Sequence, residues 1–226
     1  MKYTLPVIVP VILFLCTPAL NPKTEIYQNY ITIYGEGPIG RHPIGFDVKT
    51  YSMEDSVNFA RTEILEFLSG MVYGYRFVYK TSNKLNNRKG YFEAVPIFKI
   101  QKKDPGLRLR QYLKSQTALK FQAVYRLSES QKNYLSGWQS LKAKAEAGKY
   151  TGNDGIEWTN RIDTYYKALE NAVLNGARKK YKSRPQYIKG RLLLKESPDI
   201  NLIDGQWRVI VKVHLELENV SYQESY

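Results

Sequence analysis

Asp154 and Glu157, with Trp158 directly after them, are the carboxylates whose types and spacing come nearest to chemistry. Paired acids beside an aromatic ring suit glycan hydrolysis: one carboxyl protonates the leaving oxygen and the other serves as base or nucleophile. The plainer reading is a turn, Thr151-Gly152-Asn153-Asp154-Gly155, followed by acids at a helix N-terminus, where the peptide dipoles favour negative charge. It needs fewer assumptions and is preferred. Gly35, Gly37 and Gly40 match the Gly-x-Gly-x-x-Gly spacing of a dinucleotide loop, but Pro38 and Arg41-His42-Pro43 stand where the phosphate-binding helix would have to open. Only two histidines, His42 and His214, and one cysteine, Cys16, are available, too few for a tetrahedral zinc site. No serine occupies a Gly-x-Ser-x-Gly turn. The sequence thus assigns no catalytic, cofactor-binding or metal-binding residue, and a non-enzymatic protein is expected.

The elements that would position these residues are legible in parts. Ser52 with Asp55 predicts a helix N-cap, and Met53, Val57, Ala60, Ile64, Phe67 and Leu68 recur at helical spacing. Glu54, Asn58, Arg61, Glu63 and Glu66 fall on the other sides, and Gly70 reads as the stop. Tyr30–Tyr34 reads as a strand, the Gly- and Pro-rich stretch 36–50 as a loop. Two more strands are expected over Val72–Tyr79 and 91–101, the latter at an edge or bulge because Pro96 cannot donate to a ladder. Leu109, Tyr112, Leu113, Gln116, Leu119, Ala123 and Leu127 give a rough helical stripe in 107–149, and a further helix is expected over 158–181. At the end of the chain Tyr187–Lys195 and Gln206–Glu218 read as strands. In the second, Trp207, Val209, Val211, Val213, Leu215 and Leu217 point one way, while Arg208, Lys212, His214, Glu216 and Glu218 point the other. The C-terminal strand is a candidate for a sheet edge.

Together these predict an α+β protein: an antiparallel sheet of four to five strands, helices on one face, and a helical insertion at about 105–150. Residues 20–226 form one domain. The order helix, strand, polar loop, strand occurs in 52–101 and again in 161–218, which suggests a pseudo-repeat.

The first residues address compartment. Met1-Lys2 precedes the uncharged run Leu5–Cys16, and Thr17-Pro18-Ala19 follows, so residues 1–19 read as a signal peptide cleaved after Ala19. The run is shorter than the roughly 20 apolar residues a spanning helix needs. Lipidation of Cys16 is the alternative: Leu13 fits a lipoprotein signal, whereas Leu15 stands where such signals carry a small residue. Either route places the protein in the periplasm or tethered at the cell envelope. The chain has 34 Lys and Arg against 21 Asp and Glu, a formal charge of +13, of which the leader holds only Lys2. Residues 178–195 carry eight Lys or Arg and no acid, making Arg178, Lys179, Lys180, Lys182 and Arg184 a candidate anion-binding surface. The partners expected are envelope proteins, anionic lipid or cell-wall polymer; export disfavours nucleic acid.

A strand running into Gly35-Glu36-Gly37, a helix containing Ala60, the following Gly70-Met71-Val72-Tyr73-Gly74, and the closing Asp204-Gly205-Gln206-Trp207-Arg208-Val209-Ile210-Val211-Lys212-Val213 resemble the small α/β modules of bacterial envelope lipoproteins and the amino-terminal domain of flagellar assembly protein T. The resemblance covers residues 30–80 and 186–218 and leaves 103–160 as an insertion. It implies a periplasmic accessory or scaffold role, with a link to the flagellar machinery, and brings no catalytic residues.

Overall fold

The structure is a computed structural model that describes residues 25–27, 29–44, 47–82, 89–115, 117–140, 143–152, 156–181 and 185–221. The leader, Cys16, Asp154, Lys182 and Arg184 lie outside the described residues. In chain order the elements are β1 (Glu25–Tyr27), β2 (Tyr30–Pro38), β3 (Gly40–Ile44), β4 (Asp47–Tyr51), α1 (Met53–Val72), β5 (Tyr75–Lys80), β6 (Tyr91–Pro96), β7 (Leu107–Lys114), β8 (Ala118–Arg126), α2 (Glu129–Ser140), β9 (Lys144–Thr151), α3 (Asn160–Lys180), β10 (Tyr187–Leu194), β11 (Asp199–Ile203) and β12 (Gln206–Ser221).

The fold is α+β, and its sheets are antiparallel. One sheet has four strands in the order β1-β2-β8-β7. The other has six: β11-β12-β10-β5-β6, with β9 on the remaining side of β12. β3 and β4 form a separate hairpin.

α1 begins as its sequence requires. The Ser52 hydroxyl accepts from Asp55 N–H while the Asp55 carboxylate accepts from Ser52 N–H, a reciprocal cap. Burial of Ala60, Ile64, Phe67, Leu68 and Met71 follows the helical period. The helix runs past Gly70 to Val72, and the chain turns at Gly74, whose φ of 74° lies in the left-handed region that favours glycine.

α1 lies between the two sheets. On one side Gly37 of β2 touches its backbone: a Cβ there would stand 1.9 Å from Ser56 O. On the other side Gly70 abuts the Tyr75 ring and Leu194. α3 approaches its sheet in the same way, since a Cβ on Gly148 of β9 would stand 2.0 Å from Ala168 O. α1 therefore runs antiparallel to β2 and α3 to β9, each helix touching its strand through glycine. The strands that follow the helices, β5 and β10, pair with each other from Tyr75↔Leu192 to Lys80↔Tyr187. That pairing brings the two helix–strand–strand units together at the middle of the larger sheet.

Several expectations change. Only Glu129–Ser140 of the expected helical insertion is helix; β7, β8 and β9 make up most of 105–150. The stripe Leu119, Ala123, Leu127 satisfies a helical period, but Leu119, Ala123 and Tyr125 are buried at a period of two, with Phe121 half-buried between them. Pairing with β2 over Tyr30↔Arg126 to Pro38↔Ala118 decides between the two periods. The expected loop 36–50 instead holds the end of β2 and the β3–β4 hairpin. β12 is interior, flanked by β10 and β11 along one side and by β9 along the other. Pro96 closes β6, which is an edge strand as its proline demands.

Candidate functional site

Residues of β2, α1, β12 and the turn before α3 converge on Arg161, near the start of α3. Its guanidinium carbon lies 4.8 Å from the Trp158 ring centre and 4.5 Å from that of Trp207, so the cation sits against two indoles. The indoles meet edge to face, 5.2 Å apart. Trp207 Nε1 donates to Glu157 O at 2.9 Å, and Trp158 Nε1 donates to Glu36 O at 3.3 Å. Arg161 pairs with Glu63 of α1 at 2.9 Å and reaches Glu36 of β2 at 3.5 Å. Glu63 also accepts from Glu36 N–H at 2.9 Å, and Lys120 of β8 closes on Glu36 at 2.8 Å. His42 packs edge-on to Trp158, 5.9 Å away.

This cluster floors a cleft of about 440 Å³ whose walls include Tyr34, Lys120, Glu196, Asp199 and Lys212. Burial pushes the Glu63 carboxyl above its ordinary range; Arg161 and the Glu36 N–H pull it the other way without cancelling the shift. A carboxyl whose pKa is raised is a starting point for acid catalysis. Here, however, one oxygen is taken by Arg161 and the other by Glu36 N–H, and the side chain is only 5% exposed. At the cleft wall Lys212 is occupied by Glu196 at 2.8 Å. The geometry makes the cluster a charged strut that ties β2, α1, α3 and β12 together.

The sequence missed this strut. The sequence pattern puts Glu63 on a polar side of its helix, yet it stands three residues after Ala60 and four before Phe67, on the buried stripe. That spacing is the signal that would have found it. Of the acids considered for glycan cleavage, Glu157 is half-buried, offers its backbone oxygen to Trp207, and does not line the cleft. His214 lies on the opposite face of β12 from Trp207; partial burial and then Lys195 lower its pKa. The basic turn is only partly described. Arg178, Lys179 and Lys180 are exposed at the C-terminus of α3, where cations suit the helix dipole. Lys179 pairs with the buried Glu146 at 2.7 Å, and Lys180 lies over Tyr181.

A second basic surface arises from the segment expected to be helical. Residues 107–127 contain Arg108, Arg110, Lys114, Lys120 and Arg126 and no acid. β7 is the outer strand of its sheet, and residues 108–115 are all exposed. Leu109, Tyr112 and Leu113 are among the exposed large apolar side chains. Among the described residues no carboxylate forms an ion pair with Arg108, Arg110 or Lys114.

A protein-family model matches residues 41–222, from the β3–β4 hairpin to the end of β12. The chain belongs to that family. No activity is attached to the family's description. A stretch of 140 residues is 25% identical to an uncharacterized protein of Treponema pallidum (strain Nichols), covering 62% of this chain and 59% of that protein. The chain thus spans about three-fifths of the length of this relative. No solved structure matches it. The matched stretch of this chain includes Glu63, Arg161, both indoles and β7.

Proposed function

We propose that this protein is an exported component of the bacterial cell envelope that works by binding, as a scaffold or accessory protein, and not by catalysis. The observation that carries the reading is the outer strand β7: Arg108, Arg110 and Lys114, none paired with a carboxylate among the described residues, on a strand exposed from Arg108 onward with apolar side chains among the charges. Such a surface suits recognition of an acidic partner. The signal-like leader in residues 1–19 supports export, and the resemblance to envelope modules supports a place near the flagellar machinery. The commitment of Glu63, Arg161 and Glu36 to one another favours a load-carrying role for the cleft over turnover.

The test is expression of the full chain in a bacterial host, with intact-mass measurement of the protein from separated periplasmic and membrane fractions. A soluble periplasmic species beginning at Leu20, or a diacylated or triacylated species beginning at Cys16, supports the reading. An uncleaved chain in the cytoplasm overturns it. Glycan turnover lost in Glu157→Gln while the fold stays intact would overturn its non-catalytic part.

A further inference from the structure

We infer that β7 is the seat of an extended acidic segment of a partner protein, which adds as a further strand to the β1-β2-β8-β7 sheet. The inference rests on the binding reading above and specifies the partner's chemistry.

A sheet edge presents unpaired N–H and C=O groups, and folded proteins usually shorten, block or cover it. Three of the other edges follow that rule in distinct ways, and the edge strand β11 is five residues long. β1 has three residues. β6 ends in Pro96. On β9, the carbonyls of Ala147 and Lys149 accept from the Asn175 and Asn171 side chains of α3 at 3.0 and 2.8 Å, so the helix seals that side. β7 has eight residues, contains no proline, and has no described element beyond it; a bulge between Gln111 and Leu113 interrupts its ladder, so its regular edge is Leu107–Gln111.

The side chains of β7 then say what would sit there. Its cations discourage a second copy, because two β7 strands side by side would set Arg and Lys against Arg and Lys. They favour an acidic strand. Arg108 and Arg110 pair with Val124 and Gln122 of β8, and Arg110 Nε donates to the Gln122 side chain, on the face turned away from α1. On the other face a hollow of about 180 Å³ opens between α1 and β7, lined by Val57, Arg61, Leu109, Arg110, Gln111 and Phe121. Along Leu107–Gln111, before the bulge, a strand added beyond β7 would alternate in the same way, with one set of side chains turned toward the hollow and the other beside Arg108 and Arg110. The matching partner is an extended segment that alternates apolar and acidic residues, held by main-chain hydrogen bonds and sorted by its side chains.

The test uses the full mature chain and an eight-residue peptide alternating Glu and Val, the length of β7. Binding is followed by amide chemical shifts and by hydrogen exchange at β7. A control peptide carries the same side chains but is N-methylated at alternate backbone nitrogens, so that it keeps the charge and cannot join a ladder. The expected result is slowed exchange confined to 107–114 with the first peptide, and affinity weaker by at least about tenfold for the methylated one. Arg108→Glu with Arg110→Glu, a pair of exposed substitutions, is expected to abolish binding of the first peptide. Equal binding of both peptides, or protection outside β7, overturns strand addition. Binding of phosphatidylglycerol vesicles that is stronger than peptide binding and is lost in the same double variant overturns the protein-partner assignment. Neither result touches export or the absence of turnover, which the fractionation and glycan assays judge separately.

Discussion

Arg161 and Glu63 come from helices 98 residues apart in sequence and meet at 2.9 Å with both side chains about 5% exposed. A buried pair of this kind is worth little compared with a well-packed apolar replacement, but breaking it from one side is costly, because the remaining charge is stranded away from water.

Arg161→Met is therefore expected to destabilise the fold by about 3–5 kcal/mol. The double variant Glu63→Gln, Arg161→Met should recover part of that loss, since the stranded carboxylate is gone. Urea unfolding of the three proteins measures both quantities. A double variant no more stable than Arg161→Met alone would show that packing against Trp158 and Trp207, and not charge, holds the site.

The pH dependence follows from the direction of the Glu63 shift. Burial raises its folded pKa above the ordinary 4.5, so between those two values the folded state holds the proton more tightly than the unfolded state does. The contribution of Glu63 is greatest below 4.5 and is lost as the pH rises through the folded value. The stability of the wild type minus that of Glu63→Gln should fall over that interval and then level off. A difference that rises with pH would mean that Arg161 outweighs burial.

Tyr165 donates to the Tyr75 hydroxyl at 2.8 Å, and Tyr75 passes its own hydrogen to Glu66. Desolvation holds both phenols well above the ordinary tyrosine range, so they remain neutral donors throughout the accessible pH range. Tyr75→Phe leaves a fully buried hydroxyl on Tyr165 without its acceptor and should cost about 1–3 kcal/mol. Replacing both with Phe should cost less than the sum of the single changes, as a double-mutant cycle in denaturant would reveal.

Gly148→Ala places a methyl group against the backbone oxygen of Ala168, which has no flexible end to swing away. The expected loss is about 3 kcal/mol, the upper part of the usual range for overpacking. Gly137→Ala is the matched control, because nothing lies within 4 Å of the added carbon. It should leave the thermal midpoint unchanged or raise it.

What the sequence disclosed depended on how local the deciding interaction was. The start of α1 lies in four adjacent residues, Ser52 to Asp55, and was legible. β12 was legible too, because alternation from Trp207 to Leu215 is a pattern within one segment. β8 was not: its apolar residues fit periods of two and of four, and its partner β2 lies far upstream. The Arg161 cluster was hidden for the same reason. Trp158 drew notice only for its neighbouring acids, while its actual companions Glu36, Glu63 and Trp207 are contributed by three other elements. The position of β12 inside its sheet likewise depended on β9, a strand concealed in the stretch expected to be helical.

The pairing of β2 with β8 bears on the order in which the chain folds. The Gln122 side chain donates to the Tyr34 hydroxyl across 88 residues, and every rung between these two strands spans a comparable length. A polypeptide that emerges amino terminus first exposes β2, with Ile31 and Ile33 on its inner face, well before β8 arrives to cover its flank. Contacts so distant in sequence slow folding, and the waiting strand is the part most open to wrong pairing. During that interval the nascent protein depends on α1, which follows β2 after the short β3–β4 hairpin and can shield its glycine-lined face. The order of the elements thus supplies an internal escort for the strand that must wait longest.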